Sequence, residues 1–247
     1  MKLPFNIIWH ERLSSTNTTL QELAERTPDL PSGTVIAARE QTGGRGRLDR
    51  VWISGKNEDL TFSLFFRAET DPHRLPSASM AAAVAAAELL ESEGIQASLK
   101  WPNDVLVNGK KICGILSEAV SGGVIIGIGL NVNMGTSAHI DQPATSLRIE
   151  SGKHYDCEYL LPVFLDKLLP HLTAWELHGF SGIRKSWETR VTNLGKPIRL
   201  SDGNHERNGV LAGFGEDGEL LLQTDESTCI PIWSGELTSP PRTRHHS

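Results

Sequence analysis

The chain has 247 residues, room for one large domain or a main domain with a small satellite. Lys and Arg number 24 against 30 Asp and Glu, and the resulting formal charge of −6 argues against a nucleic-acid coat or a polybasic membrane binder. At 38% hydrophobic and 22% charged, the composition excludes wholesale disorder, and no apolar run approaches the ~20 residues of a membrane span.

The N-terminus turns polar too soon for a secretory signal, and residues 6–11 read as a strand. Ser14, Ser15, Thr16 and Asn17 cluster ahead of Leu20, Leu23 and Ala24, as at a helix start. Residues 34–39 read as a strand. Residues 41–57 are long, polar and glycine-rich with no helix or strand pattern, and 60–67 restore a strand. An Ala-rich helix is predicted over 76–93, with Gly94 as its stop. Residues 97–101 form a strand that Pro102 cuts off. Asn108-Gly109 between apolar pairs signals a two-residue hairpin, and 124–130 is a buried strand. From 158 to 175 an apolar stripe has helical spacing, which Pro170 should kink or end, and a short helix follows at 183–190. Beyond Gly195, short strands with tight turns predict a small β module that must dock on the larger part. The three scattered cysteines read as reduced thiols of a cytoplasmic protein.

Three segments carry candidate chemistry. In 41–52, Arg45, Arg47 and Arg50 stand among Gly43, Gly44 and Gly46, ahead of Trp52. Glycines let amides approach an anion, arginine forks grip carboxylate or phosphate, and an indole offers a face to a purine. A mobile surface loop with solvated arginines is the alternative. Lys100 ends a strand just before Trp101-Pro102-Asn103-Asp104, placing an ammonium and a candidate base at a cleft; a plain turn would look the same. In 124–133, Gly127, Gly129, Asn131 and Asn133 share one strand face and Ile126, Ile128 and Leu130 the other. The stripped face suits a flat ligand; bulges or a close strand–helix contact would also explain it. Ser15, Thr16 and Asn17 suit either helix capping or a polar ligand group. No two histidines are spaced as a metal pair, so no metal site is expected.

Together these segments resemble the biotin protein ligase family. The resemblance rests on Ser-Thr-Asn at 15–17, Gly-Arg-Gly-Arg at 44–47 with Trp52, Lys-Trp-Pro-Asn-Asp at 100–104, Lys-Lys-Ile-Cys-Gly-Ile-Leu at 110–116 and Gly-Ile-Gly-Leu-Asn-Val-Asn at 127–133, in the family's order. It implies an α+β fold: a catalytic domain like those of class II aminoacyl-tRNA synthetases, a mixed β-sheet flanked by helices, over 1–192. An SH3-like β-barrel over 193–239 and a flexible tail over 240–247 would follow. It implies biotin and ATP as substrates, Mg2+ on the triphosphate, a biotin carboxyl carrier protein as acceptor and a homodimer, with no nucleic acid or membrane partner. Because the catalytic pattern starts by about residue 6, the form without an N-terminal DNA-binding domain is expected.

Residue by residue, the resemblance places Ser15, Thr16, Asn17 and Gln41 at the biotin rings. Arg45, Gly46 and Arg47 would belong to a loop closing over the intermediate, touching biotin and, through the arginines, the adenylate. Lys100 would contact the biotin carboxylate and α-phosphate, Trp52 and Asn131 would serve the adenylate, and Asp104 would sit near the attacking lysine. Arg47, Lys100 and Asp104 are the implied catalytic set. Asp49 stands where the family often has Gly. Segment 41–57 is expected to be mobile until the intermediate supplies an anion for its arginines. A lipoate–protein ligase, the nearest rival, would lack the arginine–glycine loop with its Trp. A nucleic-acid-binding arm conflicts with the acidic balance.

Overall fold

Alternation along the strands decides which side chains meet which layer. The computed structural model describes residues 5–47, 50–68, 74–135, 143–201, 205–225 and 228–238. In chain order come β1 (Asn6–His10), α1 (Thr16–Arg26), β2 (Thr34–Ala38), a hairpin of β3 (Gly44–Arg45) and β4 (Val51–Trp52), β5 (Asp59–Arg67) and α2 (Leu75–Ser92). Next are β6 (Ser98–Lys100), β7 (Asp104–Val107), β8 (Lys110–Val120), β9 (Gly123–Asn131), α3 (Leu147–Ser151), α4 (Cys157–His178) and α5 (Arg184–Glu188). Seven of these strands form one sheet in the order β1-β2-β5-β9-β8-β7-β6, with β1 and β2 parallel and the rest antiparallel.

Helices α2 and α4 cover one face of that sheet. Residues 81–87 of α2 are fully buried, as expected for a helix apolar all round and enclosed between sheet and α4. Phe62, Leu64, Ile126, Ile128 and Leu130 point into this layer. On the other face a smaller cluster of Leu20, Leu30, Ile36, Phe65 and Ile125 seats α1. No described helix is long and apolar enough to cross a membrane.

Of the two outcomes expected of Pro170, ending the helix is excluded, since α4 runs on through Pro162 and Pro170. A helix-interior proline costs ~3 kcal/mol or more. Leu160, Leu161, Phe164, Leu165, Leu168, Leu172 and Trp175 are all buried along the same helix, each worth ~1.5–3 kcal/mol, and that stripe outweighs it.

The β module comprises β10 (Pro197–Ser201), β11 (Glu206–Phe214), β12 (Leu220–Gln223), β13 (Cys229–Ile232) and β14 (Glu236–Thr238), in the order β13-β12-β11-β10-β14. It docks as expected. Trp101 Nε1 donates to the Gly218 carbonyl at 3.1 Å, and Arg184 donates to the carbonyls of Phe214 and Gly215 at 2.7 Å. Trp187 meets Phe214 edge-on at 5.9 Å. Leu200, Leu211, Leu220, Leu222 and Leu237 join the main core, which holds the module against the seven-stranded sheet. The tail expected at 240–247 and the unusual Asp49 lie outside the described residues.

Candidate functional site

Along the α1-facing row of β9, side chains shrink from Ile125 to Gly127 and Gly129 before Asn131. Pairing register sets Ser63, Thr61 and Asp59 of β5 on one side of Gly127, Gly129 and Asn131, and Leu116 and Gly114 of β8 beside the two glycines on the other. α1 packs on the Ile125 end and its first turn reaches Gly127 through Asn17; beyond it lies a cavity of about 550 Å³, within the usual range for a small-molecule site. β9 pairs with both neighbours without a register shift, which removes the bulge explanation for its glycines. Close approach explains them instead. A Cβ on Gly127 would lie 2.0 Å from Asn17 Oδ1, and one on Gly129 would lie 2.3 Å from Trp52 Cε2.

One end of the cavity is lined by uncharged hydrogen-bonding side chains, backed by Glu118. Ser15 does cap α1, its Oγ accepting from the Thr18 amide at 3.4 Å. The next two side chains turn to the cavity instead. Thr16 donates from its amide and hydroxyl to Gln41 Oε1 at 2.8 and 3.1 Å. The Ser63 hydroxyl lies 2.7 Å from Thr16 Oγ1 and 2.5 Å from Asn17 Oδ1. Asn17 Nδ2 donates to the Leu116 carbonyl at 3.2 Å and to Glu118 Oε2 at 2.7 Å. Donors and acceptors thus converge on a space that suits a ligand group carrying both N–H and C=O.

The other end is cationic. Strand β6 ends on Lys100, which lines the cavity and pairs with no carboxylate among the described residues. The Trp101–Pro102 peptide is cis, and β7 opens on Asp104. Asp104 Oδ1 is 2.7 Å from Lys111 Nζ, which also stands 5.7 Å from the Trp52 ring centroid. Trp52 Nε1 is buried with no acceptor among the described residues, so it has a hydrogen bond to offer an incoming ligand. Asn131 faces the same space while its Nδ2 is held by the Thr145 carbonyl at 2.9 Å.

The described residues of segment 41–57 include a pair of short strands that its composition does not predict. β3 and β4 pair through Gly44 opposite Trp52, where a Cβ on Gly44 would meet the Trp52 carbonyl oxygen at 2.5 Å. The Gly46 amide donates to the Arg50 carbonyl at 2.7 Å, closing the tip. Arg45 reaches Glu118 Oε2 at 2.9 Å, and Arg47 Nη1 is 3.3 Å from Asn103 Oδ1. Burial pulls the Arg47 pKa below the usual guanidinium value, opposed by the charges of Asp104 and Glu236. A partly desolvated cation of this kind gains from a ligand anion. At the foot of the segment, burial and the Glu58 charge push Asp59 up to about 7, opposed by hydrogen bonds from the amides of Gly55 and Val132.

Every site residue named from the sequence lines this one cavity. Sequence reasoning missed four others. Glu118 and Lys111 carried a signal, since Glu118 follows Gly114 and Leu116 on the same face of β8 and Lys111 lies inside the Lys-Lys-Ile-Cys-Gly-Ile-Leu motif. Ser63 and Glu236 carried none, because only tertiary pairing brings them here.

Comparison with known proteins agrees with this geometry. Residues 9–134 match the model of the biotin/lipoate A/B protein ligase family. The chain is 37% identical over 234 residues to the bifunctional ligase/repressor BirA of Bacillus subtilis, covering 90% of this chain and 70% of that one. It is 32% identical to a biotin–[acetyl-CoA-carboxylase] ligase of Paracoccus denitrificans, covering 85% of this chain and 92% of that one. Among solved structures, the biotin protein ligase of Aquifex aeolicus in complex with biotin and ATP superposes with a TM-score of 0.79 at 32% identity, covering 94% of this chain and 97% of that one.

Proposed function

The chain belongs to the biotin/lipoate A/B protein ligase family, and on that premise we propose how its cavity carries out the reaction. It is a biotin protein ligase, an enzyme that uses ATP to join biotin to acetyl-CoA carboxylase. The observation that carries the residue assignments is the division of one cavity into an end lined by uncharged hydrogen-bonding side chains and a cationic end.

Biotin's ureido ring matches the end built by Ser15, Thr16, Asn17 and Gln41, with N–H and C=O groups for that network. Its valerate then runs toward Lys100 past Asn17 and Trp52, which pack on Gly127 and Gly129 and form the cavity wall there. The carboxylate attacks the α-phosphate of ATP, forming the acyl–phosphate bond of biotinyl-5′-AMP and releasing pyrophosphate. Two anions must meet for this, and Lys100 with Arg47 offsets their repulsion and the charge developing at phosphorus. Trp52 and Asn131 hold the adenylate, while Arg45 and Gly46 belong to the hairpin that keeps water from the anhydride. A lysine amine of a biotin carboxyl carrier domain then attacks the acyl carbon, AMP leaves, and Asp104 takes the amine's proton.

Mg2+ fits this site as a passenger on the nucleotide phosphates. The side chains facing them are mainly cations, and both nearby carboxylates, Asp104 and Glu236, are engaged by Lys111 and Arg50. We assign residues 1–192 to catalysis, since Val191 and Thr192 still pair with Leu99 of the main sheet. We assign 193–239 to an SH3-like barrel. A homodimer is proposed on the family resemblance, and sedimentation tests it.

Incubation with ATP, Mg2+ and either biotin or lipoate, followed by mass spectrometry for the acyl-AMP, tests the assignment. Biotinyl-AMP is the expected product. Lipoyl-AMP without biotinyl-AMP would overturn the substrate reading and promote the lipoate alternative.

A further inference from the structure

Among the described residues of the β3–β4 hairpin, few side chains attach it to the body of the protein. Its outer face is solvent, with Val51 72% and Ile53 59% exposed, so packing does not hold it down. Strand β3 is fixed at its base by the Gly43 amide donating to the Ser14 carbonyl at 2.9 Å and by Arg45 on Glu118. Strand β4 is fixed by Trp52 lying over Gly129. Between them the described tip touches the body through Arg47 on Asn103 and through Arg50. Arg50 does not pair with the catalytic sheet. Its two terminal nitrogens each donate to one carboxylate oxygen of Glu236, on β14 of the C-terminal module, in a fork-to-fork pair whose Nη1–Oε1 distance is 3.0 Å. Gly235 and Glu236 also complete the cavity wall.

Electrostatics gives this contact a second effect. Arg47 and Arg50 repel one another, and the repulsion lowers the Arg47 pKa in the same direction as its burial. Glu236 opposes both, acting on Arg50 directly and on Arg47 through space. Removing its charge leaves the repulsion between the Arg47 and Arg50 guanidinium groups less compensated.

We propose that Glu236 is a positioning residue for the ligase reaction: by clamping Arg50, the C-terminal module holds the hairpin shut over the cavity and keeps Arg47 directed into it. The proposal rests on the assignment of the cavity to biotinyl-AMP. It gives the C-terminal module a part in retaining the intermediate, although that module supplies neither the floor nor the Arg47 and Lys100 pair. The clamp is partly exposed, with the two side chains 48% and 25% accessible, so its effect is modest.

The test is a double-mutant cycle on the full chain with Glu236→Gln, Arg50→Ala and the combination, reading the release rate of biotinyl-AMP formed in the enzyme without acceptor. Glu236→Gln should speed release about two- to tenfold. The melting temperature should hold, because the amide keeps the shape of the acid. In the Arg50→Ala background the same change should have a much smaller effect, since only the through-space action of Glu236 on Arg47 remains. Restoring the acid one methylene shorter, as Glu236→Asp, should recover part of the retention. Equal release from wild type and Glu236→Gln overturns the proposal. So does an effect of Glu236→Gln that persists in full without Arg50, which would mark a structural role. A wild-type enzyme that makes no biotinyl-AMP would instead overturn the cavity assignment beneath it.

Discussion

Gly129→Ala adds one methyl group to the cavity floor and nothing else. The backbone accepts it, because Gly129 lies in a regularly paired strand and is not among the positive-φ glycines. The methyl carbon would stand 2.3 Å from Trp52 Cε2 and 2.6 Å from Cζ2. Carbon atoms rest ~3.5–4.0 Å apart, so the indole must lift by ~1 Å or more. On the β8 side the same ring lies close over Gly114, its Cζ3 3.0 Å from where a Cβ would stand. Overpacking of this kind costs ~1–3 kcal/mol, and if the loss falls on the adenylate the rate drops ~5- to 150-fold. Stability should change little, because Ile128 and Leu130 pack on the opposite face of β9. Burst formation of biotinyl-AMP measures the rate, and thermal melting checks the fold. In a Trp52→Ala background the alanine has no ring to displace and should be nearly silent. Wild-type adenylation by Gly129→Ala, or full additivity with Trp52→Ala, would refute the stacking argument.

Lys100→Ala removes an unpaired ammonium facing the cavity and should lower adenylate formation about tenfold to a hundredfold while the fold survives; an unchanged single-turnover rate would remove Lys100 from the mechanism. Asp104→Asn should slow transfer to the carrier ~100-fold or more and adenylation less, whereas equal losses in both steps would show that Asp104 serves only to hold Lys111. Asp59, ordinarily near 3.8 and pushed up to about 7 in the folded chain, binds a proton in the native state that the unfolded chain has released. Its contribution is therefore fully present below pH ~4 and is lost as pH rises through ~7, by up to ~4 kcal/mol. Asp59→Asn should accordingly be near neutral at pH 4 and stabilising at pH 8 in urea unfolding; an equal effect at both would contradict the buried, protonated state.

Hydrophobic period and turn residues make much of this molecule legible in its sequence. The glycine–asparagine face of β9 follows from strand alternation, and the fold puts that face under Trp52 and beside Asn17. The Asn108-Gly109 hairpin follows from turn chemistry and has both residues at positive φ. Local preference misleads where tertiary packing outweighs it. Pro170 is a helix breaker in isolation, yet its helix is enclosed by α2 and the sheet. The β3–β4 pairing has too few residues for any periodicity, and its stability comes from contacts with Ser14, Glu118 and Gly129 far off in sequence. Glu236 is illegible for the same reason, being 186 residues from the arginine it holds.

The hairpin changes where the cost of ordering falls. Composition alone implies that 41–57 would stay loose until a ligand anion gathered its arginines, so binding would bear an ordering cost of ~1 kcal/mol or more per residue. In the empty chain two carboxylates of the protein itself, Glu118 and Glu236, already engage Arg45 and Arg50. Part of the ordering is therefore met during folding, and less is subtracted from the affinity for the intermediate. Arg47 is treated differently. It sits between those two arginines, is more buried than either, and among the described residues its hydrogen-bond partner is a neutral amide, Asn103. Among the described residues, the guanidinium with no carboxylate contact of its own is thus the one that the proposed mechanism directs at the phosphate. Had an acid been paired with Arg47 as well, the ligand would have had to displace it, and stabilisation of the transition state would have been spent on breaking an existing pair.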